Sequence, residues 1–91
     1  MLIPAYPSSF KKAYKKLRKG GKVSRAEVEE VVLILSDNKT LPPKYKDHKL
    51  GGEYEGYREC HLRYDVLLLY KIDKVGSILI LKNIGSHSEL F

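Results

Sequence analysis

Val66-Leu67-Leu68-Leu69-Tyr70-Lys71-Ile72 carries a single charge in an otherwise apolar run. A half-exposed strand would alternate apolar and polar positions, so a run without alternation predicts a strand covered on both sides, at the centre of a sheet. Its neighbours behave differently. From Tyr57 to Arg63 the residues alternate, with Tyr57, Glu59, His61 and Arg63 on one face and Arg58, Cys60 and Leu62 on the other. Tyr64-Asp65 is the tight reversal between the two strands. Asp73-Lys74-Val75-Gly76 is the next turn, and Ser77 to Ile84 the last strand.

The N-terminal half has the helical period instead. Leu2-Ile3-Pro4-Ala5-Tyr6 is a short apolar strand whose proline must face away from pairing. After Pro7-Ser8-Ser9, the residues Phe10, Ala13, Tyr14 and Leu17 form one apolar stripe, while Lys11, Lys12, Lys15, Lys16 and Lys19 fill the remaining circumference. Gly20-Gly21 ends that helix. Ser24 and Glu27 have the spacing of a reciprocal capping box, and Val28, Val31, Val32 and Leu35 repeat the stripe up to Asp37-Asn38-Lys39. The expected fold is α+β over residues 1–91 as one domain. An N-terminal strand and a two-helix hairpin pack on a mainly antiparallel four-stranded sheet, in the order β-α-α-β-β-β. Thr40 to Gly56 lacks either period and is expected to be a long functional loop.

With 91 residues and a net charge of +6, the chain has room for one core and favours a polyanionic partner. Its single cysteine cannot form an internal disulfide and is expected to be buried as a free thiol. No apolar run reaches the ~20 residues that span a bilayer, and nothing at the N-terminus has the layout of a secretion signal, so a cytoplasmic protein is expected.

All three histidines lie in the C-terminal half. His48 stands in the loop among Lys44, Lys46 and Lys49, His61 on a strand, and His87 in the tail, four residues before Phe91. One helical turn would put that imidazole beside that aromatic ring. Imidazoles gathered on a basic protein suit RNA cleavage, because histidine takes and gives protons near neutral pH.

Tyr45-Lys46-Asp47-His48-Lys49-Leu50, Gly56-Tyr57-Arg58-Glu59-Cys60-His61, Asp65, Leu69-Tyr70-Lys71 and Gly85-Ser86-His87-Ser88-Glu89-Leu90-Phe91 together resemble the YafQ branch of the RelE/ParE toxin superfamily. The resemblance implies a RelE-like fold and endoribonuclease activity on mRNA, to be sought in the ribosomal A site. It also implies a partner antitoxin of the DinJ or RelB type, with any contact to operator DNA made through that antitoxin. No cofactor and no metal are implied. His48, His61, Asp65, His87 and Phe91 match positions the family uses for catalysis or substrate placement. Two positions depart from its pattern. Val66 follows the matched aspartate where tryptophan is common, and Asn83 stands where the family supplies an arginine, with Lys82 beside it. Arg63, Lys71 or Lys46 would then have to supply the missing cation.

The expected chemistry is attack of a ribose 2′-hydroxyl on the adjacent phosphodiester, with His87 as general acid and His48 or His61 as base. Asp65 would orient an imidazole or hold a backbone turn, Phe91 would stack on a base, and Arg63, Lys46, Lys71, Lys82 and Asn83 would contact the substrate. Three alternatives compete with it. The first is a weakly active or non-catalytic RNA- or antitoxin-binding protein of the same fold. The second is a metal site built from the histidines and Asp65, which lacks any short paired ligand motif. The third is a gyrase inhibitor of the ParE branch, against which the three matched histidines argue.

Overall fold

A computed structural model describes Met1–Phe91. The Val66 run makes up all but the last residue of β4 (Val66–Asp73), which is the middle strand of a five-stranded sheet. On one side it pairs antiparallel with β3 (Arg58–Arg63), on the other with β5 (Ile78–Gly85). β1 (Ile3–Ala5) closes one edge by running parallel to β5, and β2 (His48–Lys49) closes the other against β3. Pro4 lies on the edge strand, where its missing N–H breaks no ladder, since Ile3 N–H reaches Ser77 O at 2.8 Å.

The expected count of four strands was one short. β2 lies inside the stretch expected to be a patternless loop, which also contains 3₁₀ turns at Pro43–Tyr45 and Gly52–Tyr54. Two exposed, polar residues form no hydrophobic period, so only the ladder partners Arg58 and Glu59 reveal the strand.

One face of the sheet is closed by α1 (Ser8–Lys19) and α2 (Arg25–Ser36). Val66, Leu68 and Tyr70 share a buried cluster with Phe10 and Leu17 of α1 and Val28, Val31, Val32 and Leu35 of α2. Each such side chain contributes about 1.5–3 kcal/mol by leaving water. α1 ends at Lys19, and the chain then turns through Gly21, whose φ of +68° suits glycine. The Ser24 box forms as expected, with Ser24 N–H on Glu27 Oε1 at 2.9 Å and Glu27 N–H on Ser24 Oγ at 3.2 Å. Cys60 is fully buried in the core.

Leu67 and Leu69 alternate to the opposite face and are nevertheless 2% and 3% exposed. They lie on the face of their ladder partners Glu59 and His61, where the candidate site is. Two register shifts shape that region. Between His61 and Arg63 the β3–β4 pairing skips Leu62, and between Leu69 and Tyr70 the β4–β5 pairing skips Lys82. Each extra residue reverses the alternation beyond it.

Candidate active site

His48 sits directly opposite Glu59 in the β2–β3 ladder, and His61 follows two residues later on the same face. Glu59 is 5% exposed, and its Oε1 lies 3.8 Å from His48 Nε2 and 3.5 Å from His61 Nε2. The two ring centroids are 6.5 Å apart. His48 Nδ1 lies 2.9 Å from the Lys46 carbonyl. A carbonyl can only accept, so Nδ1 carries the hydrogen and Nε2 of the neutral ring is left as the proton acceptor. Lys46 holds that carbonyl in place from a left-handed conformation, φ 48°.

Asp47 faces the other way and anchors the loop. Its carboxylate accepts from Arg58 Nε at 3.3 Å, Arg58 Nη2 at 3.0 Å and Tyr70 Oη at 2.5 Å. Burial, and then the hydrogen bond to Asp47, push the Tyr70 phenol up, so it remains a donor at neutral pH. The hydrogen bond to Asp47 likewise raises the Arg58 guanidinium. One β-strand residue and one ladder partner thus fix the backbone on which His48 stands.

The third histidine arrives from the far strand. His61 pairs with Leu67, and Leu67 with Gly85, so one row across the sheet leads to the start of α3 (His87–Leu90). Ser86 and Glu89 form a second capping box, with Ser86 N–H on Glu89 Oε1 at 2.8 Å, and these bonds hold the Glu89 carboxyl below the usual range. Gly85 permits the fold-back, since a Cβ there would meet Glu89 Oε1 at 3.3 Å and Glu89 Cβ at 3.4 Å. Asp65 Oδ1 accepts from the His87 backbone N–H at 3.3 Å, so it holds the turn rather than the ring. The His87 and Phe91 ring centroids are 5.2 Å apart, and Tyr54 meets Phe91 edge-on at 5.0 Å. Tyr54 Oη also reaches Leu90 O at 3.4 Å. Tyr54 comes from the β2–β3 connection and Phe91 from beyond β5, so their contact ties the two ends of this region together.

The expected cations separate. Arg63, displaced by the register shift, turns to the hairpin and binds Glu27 at 2.7 and 2.9 Å and Gly21 O at 3.1 Å. Lys71 Nζ lies over the Tyr57 ring, 5.4 Å from its centroid. Lys82, the skipped residue, is exposed, and its carbonyl accepts from Ser9 Oγ at 3.2 Å. Asn83 Oδ1 accepts from the Ile84 N–H at 2.9 Å. Lys46 lines a groove with His61 and, unlike Arg63 on the same groove, has no carboxylate partner.

Glu59, Asp47 and Tyr54 were given no role by the sequence reading. Glu59 could have been found, being two residues from His61 on the same strand face. Tyr54 carried no signal, because its partner is distant in sequence and lies at the end of the chain. No three His, Cys, Asp or Glu side chains converge as a set able to hold a metal ion.

The family profile described as "Bacterial toxin of type II toxin-antitoxin system, YafQ" matches residues 3–91. The mRNA interferase toxin YafQ of Escherichia coli BL21-DE3 is 31% identical over 86 residues, 94% of this chain and 91% of that protein. The alignment with its counterpart in strain K12, 36% identical over 61 residues, spans 67% of this chain and 64% of that protein. A metal-bound toxin from Helicobacter pylori superposes with a TM-score of 0.94 at 44% identity, covering all of both chains. The E. coli DinJ-YafQ complex matches with a TM-score of 0.86 at 29% identity, over 100% of this chain and 99% of that one. The fold and the match from residue 3 to residue 91 agree: this chain belongs to the YafQ family of toxins of bacterial type II toxin-antitoxin systems.

Proposed function

We propose that this toxin is an endoribonuclease that cleaves mRNA by 2′-hydroxyl attack, in the ribosomal A site, and that an antitoxin of the DinJ type silences it. The relatives named mRNA interferase and the DinJ-bound neighbour support the substrate and the partner. For the mechanism, the carrying observation is the hydrogen bond between His48 Nδ1 and the Lys46 carbonyl, which leaves Nε2 as the basic nitrogen. His48 takes the proton of the 2′-hydroxyl as that oxygen bonds to phosphorus. The bond from phosphorus to the 5′-oxygen breaks, and His87 protonates the leaving oxygen. The products are a 2′,3′-cyclic phosphate and a free 5′-hydroxyl.

Glu59 holds His48 and His61 in register and faces the charge that an imidazole gains with its proton. Asp65 fixes the turn that presents His87. Phe91, braced by Tyr54, offers a ring on which a base can stack. Lys46 is the best-placed of the expected cations to meet the phosphorane, since Arg63 is committed to Glu27.

End-group analysis of cleaved RNA tests this reading. A cyclic phosphate terminus, lost in both His48→Ala and His87→Ala, is expected. A 5′-phosphate product, or full activity in His87→Ala, overturns it. The rival reading is an RNA- or antitoxin-binding protein without catalysis, and it draws on Asn83, a neutral amide turned onto its own strand. Intact reporter mRNA and normal growth on expression without antitoxin would favour that rival.

A further inference from the structure

β2 covers only Arg58 and Glu59 of β3, so the half of β3 from Cys60 onward has a free outer edge. Beside that edge runs the 3₁₀ turn Pro43–Tyr45, and between them lies an open groove of about 280 Å³ lined by Lys44, Lys46, His61, Leu62, Arg63 and Tyr64. Its charge is unevenly distributed. Arg63 is neutralised by Glu27, whereas Lys44 and Lys46 have no carboxylate partner, and Lys44 Nζ lies 5.0 Å from the centre of the Tyr45 ring. At the end of the groove, Tyr64 occupies the β3–β4 reversal and is 98% exposed. An isolated tyrosine at a hairpin tip is an ordinary surface residue. This one is separated by two residues from His61 and shares a groove with two unpaired cations.

The geometry points to a nucleotide subsite beside the scissile position: single-stranded RNA leaves the histidine face along the free edge of β3, its phosphates running from Lys46 at the scissile group to Lys44, with a base stacked on Tyr64. The chemistry is that of single-strand recognition, where cations track the backbone and an aromatic face accepts any base. Arg63, already paired, adds rigidity to the groove wall and no net charge. This inference rests on the nuclease reading above and extends it by one nucleotide.

The probe is a fluorescently labelled single-stranded RNA with 2′-O-methyl riboses, which binds without being cleaved. Anisotropy gives its Kd for the wild-type toxin, Tyr64→Ser, Tyr64→Phe and Lys44→Gln. Tyr64→Ser is expected to weaken binding roughly tenfold while Tyr64→Phe stays near the wild type, since stacking needs the ring and not the hydroxyl. Lys44→Gln should lower the slope of log K against log salt by about 0.7, one phosphate contact on a single strand. Cleavage kinetics on natural mRNA form the second arm, with KM raised in Tyr64→Ser. If the wild type cleaves mRNA but Tyr64→Ser binds and cleaves like it, the subsite fails and the nuclease reading stands. If the wild type neither binds the probe nor cleaves mRNA, the nuclease reading fails and the subsite with it.

Discussion

Tyr70 Oη donates to Asp47 Oδ1 at 2.5 Å, so a phenol at the centre of the sheet holds the residue next to His48. Tyr70 is fully buried, and Asp47 also receives two bonds from Arg58. The hydrophobic core and the loop that carries His48 are therefore one mechanical unit. Replacing Tyr70 by Phe keeps the ring and deletes the donor. A hydrogen bond to a charged acceptor contributes about 1.5–3 kcal/mol, so thermal unfolding should fall by that order. The turnover number should fall as well, with KM little changed, because the lost bond steadies His48 and does not touch RNA. Unchanged kcat in a folded Tyr70→Phe protein would separate the loop from the core.

Glu59→Gln distinguishes positioning from binding. The carboxylate lies within 3.8 Å of both imidazoles, on the face proposed to take the phosphate. Removing its charge should lower kcat by at least roughly tenfold, as loss of a group that orients an acid or base does. Affinity for a non-cleavable RNA should stay the same or tighten, since a negative charge facing the phosphate has gone. Weaker RNA binding in this variant would contradict the assignment.

Tyr54 is predicted to act through its ring. Its hydroxyl bond to Leu90 O is long, 3.4 Å, and contributes little, whereas the edge-on contact with Phe91 is worth about 0.5–1.5 kcal/mol beyond burial. Tyr54→Phe should cleave RNA like the parent. Tyr54→Ala should release α3, broaden the NMR signals of His87 and Phe91 and reduce cleavage. Equal activity in the two variants would show that α3 needs no brace.

The Arg63–Glu27 pair ties β3 to the hairpin and makes a prediction in pH. The hydrogen bond from Arg63, aided by the Ser24 cap, lowers the Glu27 carboxyl from 4.5 to about 2. A depressed carboxyl stabilises the fold above its unfolded value, and that contribution is lost as pH falls toward the folded one. The difference in melting temperature between the wild type and Glu27→Gln should be full at neutral pH, shrink below about pH 4.5 and vanish near pH 2. Melting curves at stepped pH measure it. A gap independent of pH would remove the ion pair as its source.

Burial, then the charges of Asp47 and Glu59, push the Cys60 thiol up to about 12. The folded toxin should therefore resist thiol-modifying reagents at pH 8 and react only on denaturation. Rapid labelling of the native protein, followed by mass spectrometry, would show that the core opens.

The elements were legible where a period or a cap marks them. The Val66 run, the two amphipathic stripes, the Ser24 box and the buried Cys60 all follow from local spacing, because helix and strand geometry decides which side chains share a face. The turn joining His87 to Phe91 was legible too, because a four-residue interval is one helical turn. β2 was not, since two polar residues have no pattern and acquire strand geometry only by pairing with Arg58 and Glu59. Arg63 was placed on the wrong face because alternation was extended through a register shift that no local residue announces. Asp47 with Tyr70, and Tyr54 with Phe91, are 23 and 37 positions apart, and only the closed sheet brings them together. Sequence spacing determined which side chains the toxin has and on which elements they stand. Tertiary packing decided which of them meet, because a contact between distant segments depends on where the chain returns to itself.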